Sequence, residues 1–338
     1  MRMGAEKILL AHGSGGKLSY ELIKGLFLSA FANPTLGELD DSARLDQDKG
    51  RLAFSTDSYT VKPLFFPGGD IGKLAIYGTV NDLAMVGASP KYISISFIIE
   101  EGFSLDTLRD IVNSITQAAK HTGVKIVTGD TKVVEKGEAD QLFINTTGIG
   151  SIRGGVDISG RNGQAGDLVL LNGTIGDHST AVLSQREGFQ FQTDLRSDCA
   201  PLHGLVEQML DASTKIHVLR DPTRGGLATV LWEVANASRV GIVIEEEKIK
   251  VREEVRGVCD LLGFDPYYLA NEGKLIAFVP QREAEKVLEA MRGNPLGSEA
   301  AIIGRVVEEN PGKVLLKTGI GGHRLLEPLS GELLPRIC

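Results

Sequence analysis

Polar and apolar residues alternate from position 92 to 99, with Ile93, Ile95, Phe97 and Ile99 on one face, the two-residue period of a β-strand. Ser104 then opens a stretch in which Leu105, Leu108, Ile111, Val112, Ile115 and Ala119 recur at helical spacing. This predicts an amphipathic helix with Ser104 as its N-cap. Residues 71–86 differ: Ile71, Leu74, Ala75, Ile76, Val80, Leu83, Met85 and Val86 surround the axis, the pattern of a helix buried on all sides. Apolar runs at 51–56, 124–128 and 141–149 read as further strands of the first half. After a polar stretch at 153–166 the pattern restarts, with strands at 167–171, 241–246, 274–280, 301–308 and 313–317. Helices are expected near 180–186, 201–212, 226–238 and 251–261. Visible alternation favours antiparallel or mixed sheets over a doubly wound parallel one. The expectation is an α+β protein of two domains, residues 1–152 and 153–329, followed by a flexible tail, 330–338.

The length of 338 residues exceeds one typical core and agrees with two domains. Apolar content of 42% and charged content of 24% fit a soluble globular chain. A net charge of -8 without a basic cluster argues against nucleic acid as a partner. No apolar run reaches the length of a membrane span, and residues 8–11 are too few for the apolar part of a secretory signal. Cys199, Cys259 and Cys338 are too widely spaced for a disulfide framework or a zinc pattern, so free thiols in the cytoplasm are expected. The 41 glycines cluster in short runs, as tight turns and ligand-binding loops do.

Asp41, Asp57, Asp130 and Asp221 fall where strands or turns end, and each alone is what a turn commonly contains. Asp82 lies beside Asn81 on the all-apolar helix, where an ionised carboxylate is costly without a cation or dense hydrogen bonding. Clustered carboxylates with few basic neighbours suit Mg²⁺, which takes hard oxygen ligands and carries substrate phosphates. Asp57, Asp82, Asp130 and Asp221 are the expected ligands, with Asp41 a further candidate. His12-Gly13-Ser14-Gly15-Gly16-Lys17 lacks Walker spacing, yet its backbone N–H groups and Lys17 would close over a polyphosphate. Gly69 and Asp70 lead into a helix N-terminus, a natural anion site. Glu272, in the turn Asn271-Glu272-Gly273, is placed to act as a base, and Lys132 follows Asp130. His178 either caps a helix or takes part in the chemistry. Cys338 ends the chain two residues after Arg336, and a thiol becomes nucleophilic when a positive neighbour lowers its pKa.

His12 to Lys17, Asp57-Ser58-Tyr59, residues 68–88, Gly129-Asp130-Thr131, residues 221–227 and the ending Pro335-Arg336-Ile337-Cys338 occur in this order. Together they resemble the aminoimidazole ribonucleotide synthetase-like ATP-binding superfamily and, within it, the hydrogenase maturation (HypE) family. The first glycine-rich loop carries His12 and no Cys, unlike that of selenophosphate synthetases. Neither the purine enzymes nor the thiamine-monophosphate kinases end on an obligatory Cys. The resemblance spans essentially the whole chain. It implies two α+β domains, with the N-terminal sheets of two subunits pairing into a barrel in a homodimer and ATP near the subunit boundary. It also implies a carbamoyltransferase partner, HypF, that loads the terminal thiol. ATP-dependent dehydration of the S-carbamoyl group to a thiocyanate would follow, with transfer of the cyano group to iron held by a HypC–HypD complex for a [NiFe]-hydrogenase. ATP and Mg²⁺ are the implied cofactors. Cys338 would carry the reacting group, Glu272 would remove a nitrogen proton, and Lys132 would stabilise charge. Lys17, with Gly15, Gly16, Gly69, Asp70 and Asn81, would hold the nucleotide. Two other readings stay open from the residues alone: another ATP-dependent synthetase or kinase of the superfamily, or a non-catalytic thiol carrier.

Overall fold

A computed structural model describes residues 7–9, 22–33, 51–186 and 194–327. The first half builds a four-stranded sheet from β1 (Leu52–Tyr59), β4 (Ala88–Glu100), β5 (Lys125–Val134) and β6 (Leu142–Ile152), in the order β1-β6-β4-β5. β4 pairs parallel with β5, and the other pairings are antiparallel, so the sheet is mixed. A two-residue ladder, β2 (Phe65–Phe66) with β3 (Gly69–Asp70), leads into helix α1 (Ile71–Met85). α1 leaves only Lys73 and Asp82 outside its buried surface, as its all-round apolar pattern requires. Helix α2 (Leu105–Thr122) begins where expected, with Ser104 Oγ accepting the Thr107 N–H at 3.3 Å, and ends on Gly123 in the left-handed conformation.

α1 and α2 cover one face of this sheet, and Ile93, Ile95, Phe97 and Ile99 of β4 point into the core they share. Among the described residues nothing covers the other face, with Phe54, Leu52 and Ile98 at 71%, 46% and 42% exposure. β5 runs on through Gly129 and Asp130, where the sequence suggests a turn.

The second half forms a seven-stranded mixed sheet of β13 (His323–Leu326), β12 (Val314–Lys317), β9 (Gly241–Glu245), β11 (Ala301–Val307), β7 (Asp167–Leu171), β10 (Ile276–Pro280) and β8 (Val218–Arg220), in that order. Both of its faces are covered, which is why β10 and, after Asp167, β7 are apolar. Val169, Leu171, Ile276 and Phe278 face a core with α5 (Gly226–Ser238). Leu170, Ala277 and Val279 face a second core with α4 (His203–Ala212) and α7 (Gln281–Arg292). α3 (Asp177–Leu183) and α6 (Glu253–Leu262) lie beside the sheet. β8, β13 and α7 are additions to the elements expected from sequence, and α3 starts at Asp177 instead of residue 180. Among the described residues no helix is long and apolar enough to cross a membrane.

Candidate functional site

Three buried asparagines draw loops from distant parts of the chain together. Asn271 Nδ2 donates to the carbonyls of Leu269 at 2.8 Å and Pro222 at 3.3 Å, while its Oδ1 accepts the Gly176 N–H at 2.7 Å. Asn172 Nδ2 donates to the Gly273 carbonyl at 3.2 Å and its Oδ1 accepts from Leu275 at 2.8 Å. Asn81, from α1, donates to the carbonyls of Ala200 at 3.1 Å and Glu272 at 3.3 Å and accepts the Leu202 N–H at 2.7 Å. The Glu272 N–H donates to Asp198 Oδ1 at 3.0 Å, so both backbone groups of Glu272 are held by side chains from other segments.

The glycines of this region allow the close approach. Gly225 and Gly226 open α5 with φ of +66° and +62°, a conformation costly for any side chain. A Cβ on Gly226 would lie 2.6 Å from the Tyr267 carbonyl oxygen and displace the chain that leads to Asn271. The Asp221–Gly225 loop is thereby pressed against the Glu272 turn.

Asp57, Asp82, Asp221, Glu272 and Asp198 form one electrostatic group. Burial holds Glu272 well above the usual carboxylate range, and Asp198, Asp221, Asp57 and Asp82 raise it further. Asp221 is pushed up to about 7, first by burial and then by Asp82. Burial also raises Asp82; the hydroxyl of Ser55, donating to Asp82 Oδ2 at 2.7 Å, opposes this, and Asp57 adds to it. Carboxylates that raise one another in this way lack positive charge. The charge they do receive comes from Arg224, whose Nη2 lies 2.8 Å from Asp57 Oδ1, from Lys274, 3.8 Å from Asp198 Oδ2, and from Arg220, which acts on Asp82 and Asp221.

The expected metal ligands divide. Asp57, Asp82 and Asp221 come together. Asp130 does not join them within one chain: the register runs Asp57↔Thr146, Thr146↔Ile95 and Ile95↔Gly129, from one edge of the sheet to the other. Three strand spacings separate the two edges, roughly 14 Å at ~4.8 Å each. Alternation also sets Asp57 on the helix-covered face with Thr146 and Ile95, and Asp130 and Lys132 on the open face with Ser96 and Ile98. Among the described residues no three His, Cys, Asp or Glu side chains converge to hold a metal ion. The oxygen donors of Asp57, Asp82 and Asp221 nevertheless suit Mg²⁺, which keeps several waters and shares its shell with phosphate oxygens instead of needing a full protein cage.

Asp70 fills the N-terminus of α1 with its own carboxylate: Oδ1 accepts from Gly72 and Lys73 at 2.8 and 3.0 Å, and Oδ2 from Ser114 at 2.6 Å. The anion position that Gly69 and Asp70 suggest is taken up by this cap. Asn81 likewise spends its polar atoms on the loops above. His178 is wholly buried, pairs through Nδ1 with Ser197 Oγ at 2.8 Å, meets the Phe66 ring edge-on, and is pushed down to about 3 by burial. It is therefore neutral and locks the 197–199 segment against Pro67. His12, Gly15, Gly16, Lys17, Asp41 and Cys338 lie outside the described residues.

Two hollows adjoin the sheet. One of about 390 Å³ is lined by Ser55 and Asp82 together with Phe54, Val86 and Ile158. The larger, about 950 Å³, is lined by Thr60, Lys62, Phe65, Phe143 and Arg186 and holds none of the clustered carboxylates. The expected site residues gather at the acidic group and not at the larger volume. Asp198 and Arg224 are the site residues that sequence reasoning does not single out.

The chain matches the AIR synthase related protein family, its N-terminal domain over residues 39–152 and its C-terminal domain over 164–317. It is 52% identical over 329 residues to carbamoyl dehydratase HypE of Azotobacter vinelandii, covering 97% of this chain and 96% of the relative. It is 48% identical to carbamoyl dehydratase HypE of Escherichia coli K12, covering 98% and 99%. The crystal structure of hydrogenase maturation protein HypE in complex with ATP superposes with a TM-score of 0.94 at 52% identity, covering 98% of this chain and 99% of that one. HypE in a HypE–HypF complex superposes with a TM-score of 0.80 at 50% identity, covering 91% and 99%. Thiamine-monophosphate kinase of Stenotrophomonas maltophilia, at 20% identity and a TM-score of 0.65, shares the fold alone. The chain belongs to the AIR synthase related family and, within it, to the HypE carbamoyl dehydratases of hydrogenase maturation.

Proposed function

We propose that this protein is the ATP-dependent carbamoyl dehydratase of [NiFe]-hydrogenase maturation and that it acts on an S-carbamoyl group carried by its own Cys338. The observation that carries the reading is the buried carboxylate group around Glu272, set in a fold 52% identical to a HypE that binds ATP. A carbamoyl oxygen is a poor leaving group. Its attack on the γ-phosphorus breaks the bond to ADP and turns that oxygen into a phosphate ester. The carbon–oxygen bond then breaks with loss of phosphate, and the two nitrogen protons leave as the nitrile forms. Phosphoryl transfer of this kind depends mainly on positioning and charge neutralisation. Mg²⁺, when bound, would neutralise triphosphate charge, with Asp57, Asp82 and Asp221 as its protein ligands. Glu272 accepts a nitrogen proton; its raised pKa makes it the stronger base once deprotonated.

Lys132 and Asp130, on the open face of the first sheet, would reach a nucleotide only beside a second subunit. The apolar residues Leu52, Phe54 and Ile98 on that face support the homodimer that the family resemblance implies. HypF as the carbamoyl donor is supported by the HypE–HypF complex of a relative. A HypC–HypD complex as the cyano acceptor and a cytoplasmic location follow from the same reading. A tail from Ser330 could span roughly 25 Å if extended at ~3.3 Å per residue, so its length excludes a site in neither subunit. Intact mass spectrometry of the carbamoylated protein, before and after ATP, tests the reaction. The expected result is loss of one water mass from the C-terminal peptide; an unchanged mass with ATP consumed would favour a kinase or synthetase acting on a separate substrate.

A further inference from the structure

Arg224 stands in an unusual place for a cation that serves only stability. Its Nη2 pairs with Asp57 Oδ1 at 2.8 Å, and Asp57 Oδ1 also accepts the Ser58 N–H at 2.8 Å. The guanidinium side is 76% exposed and the Asp57 side chain 28% exposed, so the pair sits at the mouth of the site and is weak by itself. Its charge also reaches Asp82. Arg220, four residues earlier, is committed to Glu233 at 2.6 Å. Arg220 still adds positive charge near Asp82 and Asp221, but among the described residues it is Arg224 whose guanidinium pairs directly with a carboxylate of this group, Asp57. The residue after it, Gly225, has φ +66°, and Gly226 has φ +62°, so the arginine projects from a turn at the start of α5.

We propose that Arg224 is a placeholder cation: it occupies Asp57 in the nucleotide-free protein and moves to the triphosphate when Mg²⁺ and ATP arrive. The proposal rests on the reading of the cleft as a Mg–nucleotide site. The exchange is favourable in both directions of charge. A divalent ion replaces one positive charge beside Asp57 with two, and the released guanidinium finds phosphate oxygens that it can bind through two parallel hydrogen bonds. The same arrangement keeps the acidic mouth partly neutralised when it holds no substrate.

Arg224→Gln in the full-length protein tests this with two measurements of opposite sign. Without nucleotide, Mn²⁺ used as a probe should bind up to about fivefold more tightly to the variant, the equivalent of an exposed ion pair no longer competing. With ATP present, nucleotide affinity should fall by about tenfold or more, as expected when a charged hydrogen bond to phosphate is lost. Tighter Mn²⁺ binding with weaker ATP binding supports the exchange. Mn²⁺ binding that is unchanged or weaker, or ATP binding that is unaffected, overturns it. A wild-type protein that binds ATP but no Mn²⁺ would overturn the metal reading of the cleft itself, which the wild-type control reveals separately.

Discussion

The backbone N–H of Glu272 donates to Asp198 Oδ1 at 3.0 Å, which brings two carboxylates together across 74 residues of chain. Asp198 is both the clamp on the Glu272 turn and, after burial, the largest influence raising the Glu272 pKa. Asp198→Asn keeps an oxygen to accept the hydrogen bond but removes the charge. With Glu272 as the proposed base, the rate of thiocyanate formation should rise with pH as Glu272 loses its proton, and this limb should move to lower pH in the variant, by about one unit. The KM for ATP should stay close to wild type. A pH–rate profile of the carbamoylated variant checks both.

Glu272→Ala should bind ATP yet fail to dehydrate. Calorimetric titration with nucleotide and mass spectrometry of the C-terminal peptide separate the two effects, and normal thiocyanate formation would remove Glu272 from the mechanism.

The carboxylate group makes stability depend on pH in a defined direction, and the proposed Mg²⁺ site adds an expected dependence on divalent metal. Asp221, Asp82 and Glu272 all have folded-state pKa values above their unfolded ones. The stability they contribute is complete below about pH 4 and is lost as pH rises through their folded values, which for Asp221 is about 7. Mg²⁺ held by these carboxylates, as proposed, would offset this loss, so it should raise Tm more at pH 8 than at pH 6. Thermal unfolding with and without MgCl₂ across that range is the measurement.

Asn271→Ala would leave the Gly176 N–H and the Leu269 carbonyl without their buried partner. The expected cost is on the order of 3 kcal/mol, with a lower denaturation midpoint in urea and no change of slope. Because the same side chain ties the Pro222 and Leu269 segments together, ATP affinity should fall with it.

Cys338→Ala should abolish acceptance of the carbamoyl group while ATP binding persists, since none of the residues expected to hold the nucleotide or its metal lies in the tail. Formation of a cyano group by this variant would end the terminal-thiol reading.

Much of this was open to sequence reasoning because it rests on local pattern. The all-round apolar α1 and the Ser104 cap follow from spacing alone, and Asp82 stands out because a carboxylate on a buried helix needs an explanation. α7 is not among the expected helices although its pattern is regular: Ala284, Val287, Leu288 and Met291 fall on one stripe, and all four are buried. What spacing does not carry is strand order. Asp57 and Asp130 each follow the same kind of local pattern, and only the order β1-β6-β4-β5 sets them on opposite edges. Asp198 lies in an ordinary polar segment, and its meaning arises from a contact with a turn far along the chain. Asp70 illustrates a related ambiguity, since the residue that signals a helix N-terminus can itself satisfy it.

Helix α1 belongs to two interiors at once. Ile71, Leu74, Ala75, Ile76, Tyr77 and Val80 join the core of the first half, while Ala84 and Met85 join Leu205, Met209 and Leu210 in the second. The seam that sequence places at 153–166 is thus a seam in the chain and not in the packing. Fragments divided there would each lack a wall: the first would bare the end of α1 and the second would lose the lid over α4. Asp82 rides on α1 and Asp221 on the loop before α5, so the alignment of these two carboxylates depends on how α1 packs against the second half.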